Sequence, residues 1–144
     1  MKKTLSLFAT AAALALLFAT SLMAADAIAE RQEGFKGLKG NMKEIKAALA
    51  AKNVTPVVAT AKSMQEFGAK IPTLFPPGSE GGKSEAKPEV WSRSAEFAAK
   101  AKEFETAAAK LGEVAATGDV KATEAAFKAV SASCGSCHDS FKMD

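Results

Sequence analysis

Apolar residues recur every three or four positions in four stretches of this chain, the spacing of one face of an α-helix. The first two stretches are Ile28, Arg31, Phe35, Leu38, Met42, Ile45 and Leu49, then Val57, Ala61, Met64, Phe67 or Gly68, and Ile71. The last two are Phe97, Ala101, Phe104, Ala108, Leu111 and Ala115, then Val120, Thr123, Phe127, Val130, Cys134, Cys137 and Phe141. One charged residue, Arg31, interrupts the first stretch. Because no stretch alternates as a strand would, the pattern predicts an all-α protein.

The connections between the stretches predict the arrangement of the helices. Thr55-Pro56 predicts an N-cap followed by proline in the first turn, and Thr117-Gly118-Asp119 predicts a helix stop followed by an Asp N-cap. Between helices two and three, Pro72–Pro88 holds four prolines and three glycines, which predicts an irregular loop. Short connections join antiparallel neighbours, so the prediction is an up-down-up-down four-helix bundle.

The beginning of the chain predicts export. MKK precedes a mainly apolar run and then small residues around Ala24, the arrangement of a secretory signal peptide. We expect a signal peptide over residues 1–24 and one domain over residues 25–144. The apolar run is too short for a membrane anchor, and the expected location is the bacterial periplasm.

Charge and composition exclude one class and suggest another. Residues 1–24 carry Lys2 and Lys3, so the net charge of +3 becomes 3 − 2 = +1 without them. Lysines and acidic residues alternate along the rest, which gives no basic block for nucleic acid. Alanine is the commonest residue of the chain, which has one tryptophan and no tyrosine. We therefore expect a group other than side chains to fill part of the interior.

The candidate chemistry lies near the end of the chain. Cys134-Gly135-Ser136-Cys137-His138 contains both cysteines and the only histidine, and Cys-x-x-Cys-His is the attachment signature of c-type haem. Cysteines three apart share one helix face and can reach the two vinyl groups of one porphyrin, while His138 supplies the proximal iron ligand. The motif predicts one covalently attached haem c.

Other uses of the motif fit this chain less well. A thioredoxin-like Cys-x-x-Cys lies in a βαβ setting, whereas this one ends a helical chain. Structural zinc needs four ligands, and the sequence has no second Cys or His pair. A disulfide across so small a loop would stabilise little, although a redox or structural disulfide stays open as an alternative.

The chain resembles the cytochrome c′ family of four-helix-bundle, class II c-type cytochromes. The resemblance rests on Arg31-Gln32 four residues before Phe35, on the loop LFPPGSEGGKSEAKPEVW, and on CGSCH in the last helix. It implies that Arg31, with Gln32 beside it, is a counter-charge for the haem propionates; the alternative is an arginine that extends along the helix surface. It implies haem contacts for Glu85 and Trp91, whose alternatives are a solvated loop carboxylate and a core side chain.

The sixth iron ligand decides between functions. Met42, Met64 and Met143 are the candidate sulfur ligands, and Met42 lies on the first helix stripe. The resemblance, however, places Phe35 over the iron, at the position where low-spin relatives carry methionine. Phenylalanine has no lone pair to donate, so the sixth site would be empty but covered. Lys142, four residues after His138, stands where the family commonly has arginine.

The resulting functional expectation is a periplasmic, five-coordinate, high-spin cytochrome. It is redox-active and binds nitric oxide and carbon monoxide, in nitric oxide protection or in electron transfer to a periplasmic redox partner. The alternative is a six-coordinate electron carrier of the c-556 type with a methionine ligand. An enzyme such as a peroxidase is not expected, because no acid–base constellation suits the distal side. The resemblance also implies a homodimer formed through the first two helices.

Overall fold

Four long helices form the molecule, as the apolar periodicity predicts. The computed structural model describes the backbone of residues 5–81 and 84–143 and the side chains of residues 24–81 and 84–143. The long helices are α1 (Leu5–Ala50), α2 (Thr55–Lys70), α4 (Ser94–Ala115) and α5 (Val120–Phe141), with a short α3 (Glu89–Ser92) before α4. No β-strand occurs in the described ranges, and the all-α four-helix bundle is confirmed.

The N-terminal prediction lies largely outside what the structure describes. Of the expected signal peptide, residues 1–24, only Ala24 has a described side chain. α1 begins at Leu5, well before the first apolar stripe at Ile28. Across the described part of the chain, no helix has a segment both long and apolar enough to cross a bilayer.

The helix ends follow local chemistry, with one correction. The Asp119 carboxylate accepts a hydrogen bond of 2.9 Å from the Ala122 amide, so Asp119 caps α5 as predicted. Gly118, which ends the preceding turn, has φ 78°, a backbone conformation that favours glycine. The predicted Thr55 N-cap is wrong: Val54 is the N-cap of α2, and the Thr55 amide donates to the Asn53 side chain at 3.3 Å.

The loop between α2 and α4 is more regular than its composition predicts. A 3₁₀ turn spans Ile71–Leu74, because proline is tolerated in a first turn where its missing N–H has no partner. Further along, Ala86 pairs with Lys142 in an isolated antiparallel bridge. The Lys87 amide donates to the Phe141 carbonyl at 2.9 Å, and the Met143 amide donates to the Glu85 carbonyl at 2.7 Å. This loop is therefore fastened to the end of α5.

The four helices do not contact one another equally. α4 packs extensively against both α2 and α5, whereas α1 makes far less contact with α5. A groove of about 420 Å³ runs between α1 and α5, lined in part by Lys46, Leu49, Phe127 and Ser131. The core cluster of apolar residues lies among α1, α2, α4 and α5 and includes Ile45, Met64, Phe104 and Leu111.

Candidate haem-binding site

Both cysteines lie on the core-facing side of α5, as the apolar spacing predicts. Cys134 and Cys137 are half-buried, pack against the core cluster and form no disulfide. Burial raises the pKa of both thiols; for Cys137 the neighbouring Cys134 adds to the rise, and Lys100 partly offsets it. The two thiols are therefore protonated at neutral pH, adjacent and directed to the interior, which fits a group bound by two thioethers.

His138 lies on a different side of α5 from the two thiols. Its side chain reaches solvent, although part of the ring is covered. The partial burial of the ring, followed by the nearby Lys142, lowers the pKa of His138, and Asp139 opposes that shift. A lowered pKa favours the neutral imidazole at pH 7, the form that can coordinate a metal. The thiol and imidazole donor set thus fits a c-type haem.

Aromatic rings form a continuous cluster beside this part of α5. The Phe35 ring lies edge-on to Phe67, with centroids 5.3 Å apart, and to Phe75 at 6.5 Å. Phe75 in turn contacts Trp91 at 6.0 Å and Phe97 at 4.8 Å. Phe97 contacts Phe141 of α5 at 5.3 Å. Phe35 on α1 is thereby connected to the helix that carries Cys134 and Cys137 through rings alone.

Arg31 is buried and bound to the loop between α2 and α4. Its side chain is 3% exposed, and burial lowers its pKa while Glu80 opposes the shift. One terminal nitrogen donates to the Leu74 carbonyl at 3.2 Å and the Ser79 hydroxyl at 2.9 Å. The other donates to the Ser79 carbonyl and the Ser84 hydroxyl, both at 2.8 Å.

The contacts of Arg31 bear on its expected role toward the propionates. Four hydrogen bonds engage its two terminal nitrogens, and the guanidinium also lies over the Phe75 ring, 4.5 Å from the centroid. A propionate would have to share or replace these partners. The contacts that the structure shows for Arg31 therefore give it a structural role, which is to hold the loop between α2 and α4 against α1.

The remaining predicted site residues fall into two groups. Trp91 is half-buried in the aromatic cluster and donates from its indole nitrogen to the Pro76 carbonyl at 3.2 Å. Glu85 is exposed and forms an ion pair of 3.1 Å with Lys142, on the His138 side of α5. Gln32 is exposed on α1 beside Arg31. Phe35, Arg31 and Trp91 thus all contact the loop between α2 and α4. Glu85 instead pairs with Lys142, which follows α5, the helix that carries His138.

The three methionine candidates occupy different surroundings. Met64 is fully buried in the core, Met143 is 43% exposed at the end of the chain, and Met42 is half-buried against the core cluster. Of the three, Met42 alone combines a place on α1 with partial access.

Sequence reasoning missed several partners of the predicted residues. Ser79 and Ser84 bind Arg31, but serines in a loop rich in proline and glycine ordinarily face water. The apolar spacing of α2 allowed either Phe67 or Gly68 to face the core. Both residues are packed, because Gly68 is buried beside Phe104 while the Phe67 ring contacts Phe35. The signal for Phe67 was present in the apolar spacing, whereas nothing in the sequence identified the serines.

Comparison with known proteins identifies the family of the chain. The sequence profile of the family described as Cytochrome C' matches residues 26–142. Cytochrome c′ of Allochromatium vinosum is 36% identical over 94% of this chain and 96% of its own length. A solved cytochrome c′ with an unusual ligand-controlled dimer dissociation superposes with a TM-score of 0.76 at 34% identity, over 83% of this chain and 95% of the other.

A further solved structure contains a ligand. It is the nitric oxide complex of a point mutant of cytochrome c prime from Alcaligenes xylosoxidans, with a TM-score of 0.75 and 29% identity over 84% of this chain and 97% of the other. The family carries covalently attached haem c, and the Cys-x-x-Cys-His motif stands here on the last helix of the same bundle. The chain belongs to the cytochrome c′ family.

Proposed function

We propose that this chain is an exported, periplasmic monohaem cytochrome with a five-coordinate, high-spin iron that binds nitric oxide and carbon monoxide. Cys134 and Cys137 would hold the haem through thioethers, and His138 would be the proximal ligand. The haem supplies one-electron redox chemistry and an open coordination position for small diatomic ligands. The protein contributes attachment, one axial ligand and an apolar surrounding.

The observation that carries this proposal is the setting of Phe35. Its ring packs edge-on against Phe67 and Phe75, so the surroundings that it shares with these rings are aromatic. Aromatic carbon offers the iron no lone pair and offers a bound ligand no hydrogen bond. Such surroundings support weakly polar ligands such as nitric oxide and carbon monoxide and disfavour dioxygen, whose bound form needs a donor. The nitric oxide complex of the Alcaligenes relative also supports this choice.

The same surroundings favour a binding and electron-transfer role over an enzymatic one. Proton transfer during peroxide cleavage needs a titratable side chain beside the reacting oxygen. The ring contacts of Phe35 are to Phe67 and Phe75, neither of which can exchange a proton. We infer a role in protection against nitric oxide or in electron transfer.

A second candidate is the six-coordinate electron carrier, which Met42 favours. Met42 is half-buried on the core-facing stripe of α1. It lies seven residues after Phe35, about 10.5 Å along the helix at 1.5 Å per residue. One helix therefore cannot place both residues over the same iron.

The absorption spectrum of the purified ferrous protein separates these candidates. We expect a broad, high-spin Soret band that sharpens on adding carbon monoxide. Phe35→Met should shift the resting spectrum toward low spin, because a thioether then stands at the covering position, while Met42→Ala should leave it unchanged. A low-spin resting spectrum that Met42→Ala converts to high spin would establish the electron carrier instead.

Export and assembly complete the proposal. The signal-peptide pattern of residues 1–24 supports a periplasmic location, checked by the N-terminal sequence of protein from a periplasmic extract, with cleavage expected after Ala24 or Ala25. We also propose a homodimer, supported by the relative whose dimer dissociation is ligand-controlled. Sedimentation velocity with and without carbon monoxide measures it, and a monomer under both conditions would remove it.

A further inference from the structure

Charged residues on α1 are separated onto two flanks. Glu30 and Glu44 lie on the flank toward α2, where Glu30 pairs with Lys70 and Glu44 accepts a hydrogen bond from Thr60. Lys39, Lys43 and Lys46 follow at intervals of four and three, which places them together on one side of the helix. Lys46 lines the groove between α1 and α5. The second flank is therefore basic and borders α5.

The lysines of this flank are not neutralised by neighbours. Lys39, Lys43 and Lys46, called the basic face below, are all exposed. Within residues 24–81 and 84–143, no carboxylate lies within 4.0 Å of their ammonium groups. Several lysines elsewhere differ: Lys62, Lys102 and Lys110 each pair with a glutamate three or four residues later. The basic face thus presents three uncompensated charges to solvent.

The basic face adjoins the side of α5 that carries His138. The opposite wall of the groove includes Ser131, which lies seven residues, about two turns, before His138, and the ion pair of Lys128 with Glu124. The unpaired lysines of α1 therefore lie along a groove that leads toward the His138 side of α5.

This local charge stands out because residues 25–144 taken together are nearly neutral. Its net charge is +1 without residues 1–24, from 3 − 2. In a nearly neutral molecule, a cluster of unpaired cations makes the field asymmetric, and such a field orients an incoming anionic surface and raises its association rate.

We propose that the basic face is the docking surface for an acidic, one-electron redox protein, which it brings to the His138 side of the molecule. This inference rests on the proposed function, since it requires a redox-active haem. In the encounter the reduced partner loses one electron and the ferric iron becomes ferrous. No bond is formed or broken, and no proton is transferred.

An acidic protein suits this surface better than an anionic membrane does. Faces that bind membranes combine basic residues with apolar side chains that enter the lipid. Among the described residues, the exposed large apolar side chains are Val58 on α2 and Met143 at the end of the chain, neither of them on α1. The basic face offers charge without an apolar anchor, which matches a soluble partner.

The test compares two triple variants of the haem-loaded protein. Lys39→Gln/Lys43→Gln/Lys46→Gln removes the basic face, and Lys62→Gln/Lys102→Gln/Lys110→Gln removes the same charge from α2 and α4. The probe is a reduced plant-type [2Fe–2S] ferredoxin, an acidic one-electron donor, mixed with the ferric protein by stopped flow. At low ionic strength we expect the first variant to react about tenfold more slowly, with a flatter salt dependence, and the control within about twofold of wild type.

Binding provides a second readout that does not depend on turnover. Isothermal titration calorimetry with oxidised ferredoxin should show the dissociation constant of the basic-face variant raised by a similar factor. Equal rates and affinities for the two variants would overturn the docking proposal, as would binding to phosphatidylglycerol vesicles without binding to ferredoxin. Dithionite reduction of wild type and of both triple variants serves as the control. If dithionite reduces all three, a difference or an equality in the ferredoxin experiments concerns docking alone. If dithionite cannot reduce wild type, the proposed function itself fails.

Discussion

At the scale of single residues, Phe35 combines a structural position with a proposed functional one. It occupies the place that the family resemblance assigns above the iron, and it holds two other aromatic rings by edge contacts. Removing a partly buried phenylalanine loses apolar burial, and a full truncation in a core costs about 3–5 kcal/mol. Any functional effect of changing it must therefore be separated from loss of stability.

Phe35→Ala should raise the affinity for carbon monoxide, because the ring no longer crowds a ligand bound beside it. If the crowding amounts to ~1.4 kcal/mol, affinity rises about tenfold. The measurement is a carbon monoxide titration of the ferrous protein, with urea unfolding of the same sample. Phe67→Ala is the control, since it disturbs the same ring pair from α2. Unchanged affinity in Phe35→Ala, with the protein folded, would place Phe35 in the core only.

Arg31→Ala should loosen the loop between α2 and α4. The change removes four hydrogen bonds and leaves the Leu74 carbonyl, in a buried residue, without this donor, so we expect a loss of about 2–4 kcal/mol in the free energy of unfolding. Urea unfolding measures it. Ser84→Ala removes one of the four bonds, together with the bond that the Ser84 hydroxyl accepts from the Ala86 amide at 3.2 Å, and no charge, so it should cost about 1–2 kcal/mol.

The same pair of variants tests the propionate role of Arg31. If its charge also acts on the haem, Arg31→Ala changes the reduction potential and its dependence on pH, whereas Ser84→Ala does not. Potentials that are equal in both variants and wild type between about pH 5 and 9 would leave Arg31 as a loop anchor alone.

At the scale of elements, the approach of α1 to α2 depends on a missing side chain. A Cβ atom at Gly34 would lie 1.9 Å from Cε2 of Phe67, well inside any real contact. At Gly37, one turn later, the same atom would meet nothing within 4 Å. The two glycines of one helix therefore have opposite roles.

Gly34→Ala and Gly37→Ala should change stability in opposite directions. The first forces the Phe67 ring away from Phe35 and costs about 1–3 kcal/mol, as overpacking does. The second replaces an unconstrained helical glycine and stabilises by about 0.5–1 kcal/mol. Thermal unfolding followed by circular dichroism measures both. A neutral Gly34→Ala would mean that Phe67 moves freely and that the Phe35–Phe67 contact contributes little.

The elements also show where sequence reasoning succeeds. Helix faces were predictable because each apolar residue spaced by three or four must be buried together with its neighbours. The loop was not, because its structure depends on distant partners: Arg31 supplies the donors for Ser79 and Ser84, and the end of α5 pairs with Glu85 and Lys87. Local composition indicates that a segment is irregular and cannot indicate what it binds.

At the scale of the whole molecule, the sequence predicts the orientation of the cysteines. It predicts that Arg31 is unusual but not which groups Arg31 binds. Cys134 and Cys137 follow from a motif whose spacing matches one helix face, so sequence and fold require the same orientation. Arg31 was recognised by its odd place in an apolar stripe. Its partners lie 43 to 53 residues away in the chain, a separation that periodicity does not address.

The attachment of haem should also govern how well the bundle holds together. α1 packs weakly against α5, and alanines make up four of the sixteen buried residues of the core cluster, so part of the interior has little side-chain bulk. Cys137→Ala removes one of the two proposed thioether positions on the core-facing side of α5. We expect little or no covalent haem and a marked loss of helicity, because the group that fills the interior is no longer retained. Haem staining after denaturing electrophoresis and far-UV circular dichroism measure the two effects.

Ser136→Ala is the matched control for this last variant, because it alters the same motif without removing a thiol. It should retain full haem staining and wild-type helicity. Undiminished staining in Cys137→Ala would contradict attachment through that thiol. If Cys137→Ala loses the staining but keeps its helicity, attachment through Cys137 is still supported. The result would then show that side chains alone hold the bundle together, with α1 stabilised chiefly by its contacts with α2.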